Sequence, residues 1–181
     1  MEEIIKILEA GKLVLSPTDT IWGILCDATN PSAVSKVYDL KKRPNSKAMV
    51  CMVSDIEMLK KYIHDLPQKL DHYLNDQRPT TVIYTNPKGL AQNAIAQENT
   101  VAIRIVNHHF CTPLIQEFGK PLISTSANIS GAPHPQKFAD IDAEIASEVD
   151  HIVEIDKNKI NPHSSRIIKI ESTGEIFLLR A

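Results

Sequence analysis

Leu122-Ile123-Ser124-Thr125-Ser126-Ala127-Asn128-Ile129-Ser130-Gly131 is the stretch on which the reading of the fold turns. A short apolar run enters it from Gly119-Lys120-Pro121, hydroxyl and amide side chains then crowd together, and Gly131 and Pro133 turn the chain away. Ser, Thr and Asn compete for backbone hydrogen bonds and favour caps, turns and loops, so this run predicts a loop at a strand end. Such a loop offers donors and acceptors without net charge, which suits the oxygens of a nucleotide or an amino acid. A serine-rich surface turn that caps the next helix fits the same residues, and the two readings stand side by side.

Outward from this stretch, helical and strand patterns alternate. Glu2 to Ala10 carries Ile4, Ile5, Ile7 and Leu8 on a helical stripe that stops at Gly11. Leu13-Val14-Leu15 is a short buried strand that runs into the polar loop Ser16-Pro17-Thr18-Asp19-Thr20, and strand ends are a usual place for ligand loops in open α/β sheets. Asn30 and Pro31 make an N-cap and first-turn pair for a helix to about Leu40, which ends in Lys41-Lys42-Arg43-Pro44-Asn45-Ser46-Lys47. Ala48 to Val53 reads as a strand, Ser54 with Glu57 as a capping box for a helix to about Ile63, and Pro67 to about Leu74 as another helix. Thr80 to Tyr84 and Val101 to Ile105 are strand-like, and His109 to Phe118 is an amphipathic helix closed by Gly119. After the hydroxyl-rich stretch come a short helix over Asp140 to Ala146, a strand over His151 to Ile155, and two strands, Ser165 to Ile170 and Glu175 to Leu179, joined like a hairpin. Helices interleave with strands, but some strands are consecutive, which predicts an α/β (α+β) layered domain with a mixed sheet.

Composition narrows the function classes. The chain has 181 residues, 43% of them hydrophobic, enough for a real core, and no repeat or flexible linker divides it, so residues 1–181 are expected to form one domain. A formal net charge of -2 supplies no global basic field for non-specific nucleic-acid binding, so any anion site is local. Cys26, Cys51 and Cys111 are far apart and lack the spacing of a zinc site. No apolar run is long enough to span a bilayer, and the acidic start Met1-Glu2-Glu3 is the opposite of a signal peptide's basic region. The expectation is a cytoplasmic protein with no membrane partner and no protein-held metal.

Neither a Walker A run nor G-x-G-x-x-G occurs, and the seven histidines fall in no nucleophile motif. Lys41, Lys42, Arg43 and Lys47 cluster at a helix end, where cations complement the helix dipole on a solvated face. A phosphate or carboxylate clamp is the alternative for the same cluster. Arg104 sits inside Val101-Ala102-Ile103-Arg104-Ile105-Val106, where a lone charge is either ion-paired or aimed at a ligand. Asp19 is the only acid of its loop, with a structural or a metal role equally open, and Trp22 reads as core or as a stacking platform.

Pro17-Thr18-Asp19-Thr20-Ile21-Trp22-Gly23-Ile24, Lys41-Lys42-Arg43-Pro44, Pro79-Thr80-Thr81, Val101-Ala102-Ile103-Arg104, Ser124-Thr125-Ser126-Ala127-Asn128-Ile129-Ser130-Gly131 and a serine near Asn161-Pro162-His163-Ser164-Ser165 occur in the order seen in the YrdC/TsaC family. Over nearly its whole length the chain resembles that family, in its short form. The resemblance implies a twisted mixed sheet flanked by helices with a large concave cavity. It also implies threonylcarbamoyl-AMP synthesis, a nucleotidyltransferase reaction of L-threonine, bicarbonate and ATP (with Mg2+) that releases pyrophosphate for the threonylcarbamoyladenosine modification of tRNA. By that resemblance Lys41 and Arg43 are catalytic, Lys47, Ser126, Asn128 and Ser165 bind the nucleotide, with Ser164 the alternative to Ser165, and Thr18, Thr20, Arg104 and Thr125 bind substrate. A downstream threonylcarbamoyl-transferase complex is the implied partner. Two other functions fit the same family: a module that binds tRNA or double-stranded RNA without catalysis, and a paralogue acting on another carbamoyl-adenylate. The chain departs from the family's pattern at Trp22, at Gln77-Arg78-Pro79 in place of Pro-Gly-Pro, at Val106 and at Arg166.

Overall fold

The computed structural model describes residues 1–43, 49–64, 66–74, 76–161, 163–171 and 173–181. Lys47, Pro44 and the expected strand start at Ala48 lie outside them.

Local chemistry sets the first elements. Helix α1 (Glu2–Glu9) buries Ile4 and Leu8, and Gly11 beyond it takes φ +66°. Strand β1 (Val14–Ser16) pairs antiparallel with β2 (Gly23–Asp27). Helix α2 (Pro31–Leu40) starts as expected, with Asn30 Oδ1 accepting from the backbone N–H groups of Ser32 (3.0 Å) and Ala33 (3.2 Å). Strand β3 (Val50–Val53) leads to α3 (Ile56–Tyr62). Here the cap differs from the expected box: Asp55, not Ser54, is the N-cap, its Oδ1 accepting from Met58 N at 2.8 Å, while Ser54 Oγ donates to Asp55 Oδ2 at 2.7 Å. A carboxylate is the stronger acceptor at a helix N-terminus, and Ser54 is spent on supporting it.

A 3-10 turn (Gln68–Leu70) and the single-turn α4 (Asp71–Leu74) replace the longer helix expected from Pro67. Strands β4 (Thr80–Thr85) and β5 (Thr100–Ile105), helix α5 (Cys111–Phe118) with its left-handed stop at Gly119, and β6 (Leu122–Ser126) follow. Helix α6 (Ala143–Glu148), β7 (His151–Ile152), β8 (Arg166–Ile170) and β9 (Ile176–Arg180) complete the chain.

The described strands form one nine-stranded sheet in the order β7-β1-β2-β6-β3-β5-β4-β8-β9. The pairs β7–β1, β3–β5 and β4–β8 are parallel and the other five antiparallel, so the sheet is mixed as expected. Helices flank it: α1 packs on β1 and β2, α2 on β2, and α3 and α5 on β3.

The hydroxyl-rich run is not the expected loop but a strand, β6, paired with β2 on one side and β3 on the other. Once both ladders satisfy the backbone of Ser124, the side chains no longer compete for it, and the preference of such residues for turns is overridden. The chain turns only after Ser126. Residues opposite one another share a face, so Leu25, Ser124, Val50, Ala102 and Ile83 form a row across β2, β6, β3, β5 and β4. Two residues further along their strands, Gly23, Ser126, Arg104 and Ile167 lie on the same face. Gly23 fits closely there: a Cβ would sit 3.0 Å from Ser124 Oγ and 3.3 Å from Thr125 O, so a larger residue would push on both. Small residues at the centre of this row leave space above the sheet.

Asp55→Ala is expected to lower unfolding free energy by about 1 kcal/mol, the worth of an N-cap, in urea denaturation at pH 7. Hydrogen bonding, first from Met58 N, lowers the Asp55 carboxyl below its ordinary value. Its stabilisation is therefore complete above the ordinary carboxylate value of about 3.9 and is lost as pH falls through the lowered folded value, so the gap between wild type and variant closes in acid.

Candidate active site

A cavity of about 330 Å³ opens over this face of the sheet. Gly23, Ser124, Val50, Ala102 and Ile83 line it from the strands, with Arg104 at one end. Its walls come from Thr20, Ile21 and Trp22 before β2, Arg43 after α2, His134, Ser164 and Ser165 before β8, and Arg180 at the end of β9. The Trp22 ring is 2% exposed and packs against Phe138 with centroids 5.0 Å apart, so it is part core and part wall.

The loop after β1 is organised by Thr18, which does not line this cavity. Its Oγ1 accepts from Thr20 N at 3.1 Å and donates to Ile21 O at 2.8 Å, a side-chain turn that presents Thr20 to the cavity. Asp19 Oδ1 stands 3.1 Å from Arg104 Nη2, both side chains only 5% exposed. The ion-pair reading of Arg104 therefore holds, and the paired guanidinium also lines the cavity. Its Nη2 also reaches Thr20 Oγ1 at 3.4 Å, while Nε is buried with no hydrogen-bond partner among the described residues. A buried guanidinium with an unspent donor beside a cavity is suited to an anionic ligand.

Lys41 corrects the expectation of a solvated helix end, for the residue is 1% exposed. Its ammonium donates to Ser126 O, to Asn128 O at 2.6 Å and to Asn128 Oδ1 at 3.4 Å, and its own carbonyl accepts from Ser130 N at 2.9 Å. The turn after β6 is thus fastened to the end of α2. Burial, and then the charge of Arg43, pull the amine down to about 8. Asn128 is likewise turned inward, its Nδ2 donating to Ala132 O (2.6 Å) and Ile129 O (3.1 Å), and it lines a neighbouring cavity rather than the main one. Lys42 adopts φ +50°, and Arg43 beyond it reaches the cavity wall. Of the residues expected to form the site, the structure brings Thr20, Arg43, Arg104, Thr125, Ser126 and Ser165 together around one cavity. Thr18, Lys41 and Asn128 hold its loops, and Lys47 lies outside the described residues.

Sequence reasoning missed Arg180, which donates to Ser165 O from Nε (3.0 Å) and Nη2 (2.8 Å). The Ser165 hydroxyl is meanwhile paired with Thr81 Oγ1 at 2.7 Å. The signal was present, because the expected hairpin of the last two strands, continued by one residue, sets Arg180 beside the start of β8; the register pairs it with Ile167. Burial and the positive charge of Arg104 lower Arg180 from its ordinary value, and burial, Arg180 and Lys41 lower His134. No carboxylate lines the cavity among the described residues, so Arg104 and Arg180 repel one another and an anion would relieve them.

Apart from this cavity, His108, His109 and Asp156 bring potential metal-ligand atoms within 4.8 Å of one another. Cys111 N, however, donates to His108 Nδ1 at 3.3 Å, which leaves the proton of the neutral ring on Nε2, facing Asp156 Oδ2 at 3.4 Å. A metal on Nε2 would have to displace that proton and the bond to Cys111, the reverse of the usual arrangement. Among the described residues His108 Nε2 and Asp156 Oδ2 are buried without a hydrogen-bond partner, so their 3.4 Å approach is not a hydrogen bond, and the tautomer set by Cys111 N does not suit a metal on Nε2.

Lys41→Met is expected to unfold at lower urea concentration, by about 1–3 kcal/mol, because it strands the Ser126 and Asn128 carbonyls. The folded amine, at about 8, is below the ordinary value of 10.5. Wild type should therefore gain stability relative to the variant as pH rises from about 8 to 10.5, where the unfolded chain still binds the proton that the folded chain has released.

The profile of the Sua5/YciO/YrdC family, described as "Telomere recombination", matches residues 6–181. A Methanocaldococcus jannaschii protein provisionally named as a threonylcarbamoyl-AMP synthase is 38% identical over 165 residues, covering 89% of this chain and 75% of that protein. The threonylcarbamoyl-AMP synthase of Shigella boydii is 28% identical over 177 residues, covering 96% and 92%. Among solved structures, P. abyssi Sua5 complexed with L-threonine has a TM-score of 0.85 at 24% identity, covering 98% of this chain and 52% of that one. A doubly substituted P. abyssi Sua5 has a TM-score of 0.89 at 23% identity, covering 98% and 55%. The chain spans about half the length of these two solved chains, and the likeness to them is one of fold. With its profile matched from residue 6 to the last residue, the chain belongs to the Sua5/YciO/YrdC family.

Proposed function

We propose that this chain is a threonylcarbamoyl-AMP synthase, making threonylcarbamoyl-adenylate and pyrophosphate from L-threonine, bicarbonate and ATP for the modification of tRNA. The observation that carries the reading is the convergence of Arg43, Arg104 and Arg180 on one cavity whose described lining holds no carboxylate. The chemistry needs that arrangement. Bicarbonate takes up a proton and loses water to give carbon dioxide, which threonine's amine takes up as a carbamate with release of a proton. A carbamate oxygen then attacks the α-phosphorus of ATP, and the bond to the β-phosphate oxygen breaks to release pyrophosphate.

Nucleophile and electrophile are both anionic, so the first task is to hold two repelling partners in line, and the second is to stabilise charge that builds on the phosphoryl oxygens. Arg43 and Arg180 supply forked donors to phosphate oxygens. Arg104, steadied by Asp19, takes the amino acid's carboxylate, and Thr20 stands beside it. Ser124, Thr125, Ser126 and Ser165 offer neutral hydrogen bonds around them. Lys41 acts in this scheme by holding the Ser126–Asn128 turn, not by touching the phosphates. The described lining of this cavity holds no carboxylate, and Asp19, on the adjoining wall, is engaged by Arg104, so magnesium enters on the phosphates of MgATP, as part of the substrate.

Pyrophosphate release should require ATP, L-threonine and bicarbonate together, with serine a poor substitute for threonine. Arg43→Ala is expected to lower kcat/KM by about 100-fold. Arg104→Lys keeps the charge beside Asp19 but loses the fork, and should raise the KM for threonine more than that for ATP. Release that is indifferent to threonine, or an Arg43→Ala variant with wild-type kinetics, would overturn the assignment.

A further inference from the structure

The turn between α4 and β4 is built around one guanidinium. Arg166, the first residue of β8, donates from Nη2 to Asp76 Oδ2 at 2.9 Å, and from Nε and Nη2 to Thr80 Oγ1 at 3.2 and 2.8 Å. Its guanidinium carbon lies 4.9 Å from the centroid of the Tyr73 ring. Both of its acceptors then hold Arg78: Asp76 Oδ1 accepts from Arg78 N at 3.2 Å, and Thr80 Oγ1 donates to Arg78 O at 3.0 Å. The backbone of Arg78 is fixed on both sides, while its side chain is exposed and forms no ion pair among the described residues. Two carboxylates are nearby, and both are engaged: Asp76 by Arg166, and Asp19, which lines the same cavity as Arg78, by Arg104, so neither cancels Arg78's charge.

Arg78 lines a cavity of about 400 Å³ that shares Thr20 and Ser164 with the main one. At about 330 Å³ the main cavity is near the lower end of ligand pockets, which run from about 300 to 1,000 Å³. A nucleoside triphosphate and an amino acid bound together must extend beyond it, and the adjoining cavity is the continuation in which Arg78 stands.

We infer that Arg78 is a further oxyanion-binding residue of this site, with Arg166 as the positioning residue that presents it. The oxyanion is the part of the bound substrates that overhangs the main cavity, either the phosphate tail of the nucleotide or the carboxylate of the amino acid. The identity of those substrates rests on the proposed function; the binding of an oxyanion does not.

The test is calorimetric titration of inorganic pyrophosphate and of L-threonine into wild type, Arg78→Ala, Arg78→Lys, Arg166→Gln and the Arg78→Ala/Arg166→Gln double variant, together with the KM for each substrate. Losing one charge-assisted hydrogen bond should weaken one ligand by about tenfold in Arg78→Ala, with partial recovery in Arg78→Lys. Weaker pyrophosphate binding with a raised KM for ATP identifies the phosphate tail. Weaker threonine binding with a raised KM for threonine identifies the carboxylate. Arg166→Gln should reproduce the same loss, and the double variant should be no worse than Arg78→Ala alone. Unchanged affinity for both ligands in Arg78→Ala overturns the inference, and additive losses in the double variant overturn the role of Arg166. Failure of wild type to release pyrophosphate from ATP would remove the synthase reading, while the titrations still decide Arg78.

Discussion

The ammonium of Lys41, buried beneath the turn that follows β6, is the contact on which the geometry of the cavity depends. An uncompensated charge there would be prohibitive, and it is tolerated because its acceptors are all supplied by the turn itself. The residue works from both ends, since its carbonyl also receives Ser130 N. A helix end and a strand end that are far apart in sequence are thereby held at one distance. The left-handed Lys42 then redirects the chain so that Arg43 reaches the wall of the cavity and not the same buried pocket. Of two cations one residue apart, one is consumed by structure and the other faces the ligand space. The cost is carried by the amine, whose basicity burial brings down to about 8.

Much of this was legible in the sequence where the signal was local. Asn30-Pro31 announces α2 because capping needs only neighbouring residues, and the alternation of helical and strand periods gave the mixed sheet. The misreadings arise where tertiary pairing overrides a local preference. Ser124, Thr125 and Ser126 read as loop because their side chains compete for backbone groups, and only the ladders of β2 and β3 remove that competition. Lys41 read as solvated because nothing in Lys41-Lys42-Arg43 says which cation turns inward; the carbonyls that receive it come from 85 and 87 residues away. Arg104 invited two readings; the ion pair with Asp19, which reaches it across the fold, answers the first, and its place on the cavity wall leaves it open to a ligand.

Electrostatics on a nearly neutral chain is a matter of where the charges are cancelled. Lys42 pairs with Glu144, Lys120 with Asp27 and Arg166 with Asp76, all outside the main cavity. Within it the described lining presents guanidinium groups and hydroxyls and no carboxylate, and Asp19, on the wall of the adjoining cavity, is paired with Arg104. A net charge of -2 is thus compatible with a strongly positive interior. Burial and the charge of Arg104 lower Arg180, so part of the folding free energy is spent on keeping the two guanidinium groups together before any ligand arrives, while His134, lowered by burial, Arg180 and Lys41, is kept neutral. An anion that enters recovers it, which couples ligand binding to stability with the sign expected for a preorganised site.

The departures from the family's pattern at Gln77-Arg78 and at Arg166 meet in space. A Pro-Gly-Pro turn is rigid through its own backbone, whereas Gln77-Arg78-Pro79 has only one ring to restrain it and needs support from outside. Arg166 supplies that support by bridging Asp76 and Thr80, the two residues that hold the amide and carbonyl of Arg78, and by lying against Tyr73. Each change alone is unfavourable: Arg166 without Asp76 would leave a half-buried guanidinium short of partners, and Arg78 without the brace would sit on a loose turn beside a carboxylate that cancels it. Together they exchange intrinsic stiffness for a hydrogen-bonded brace, and the exchange places one more cation on the wall of the cavity that shares Thr20 and Ser164 with the main one.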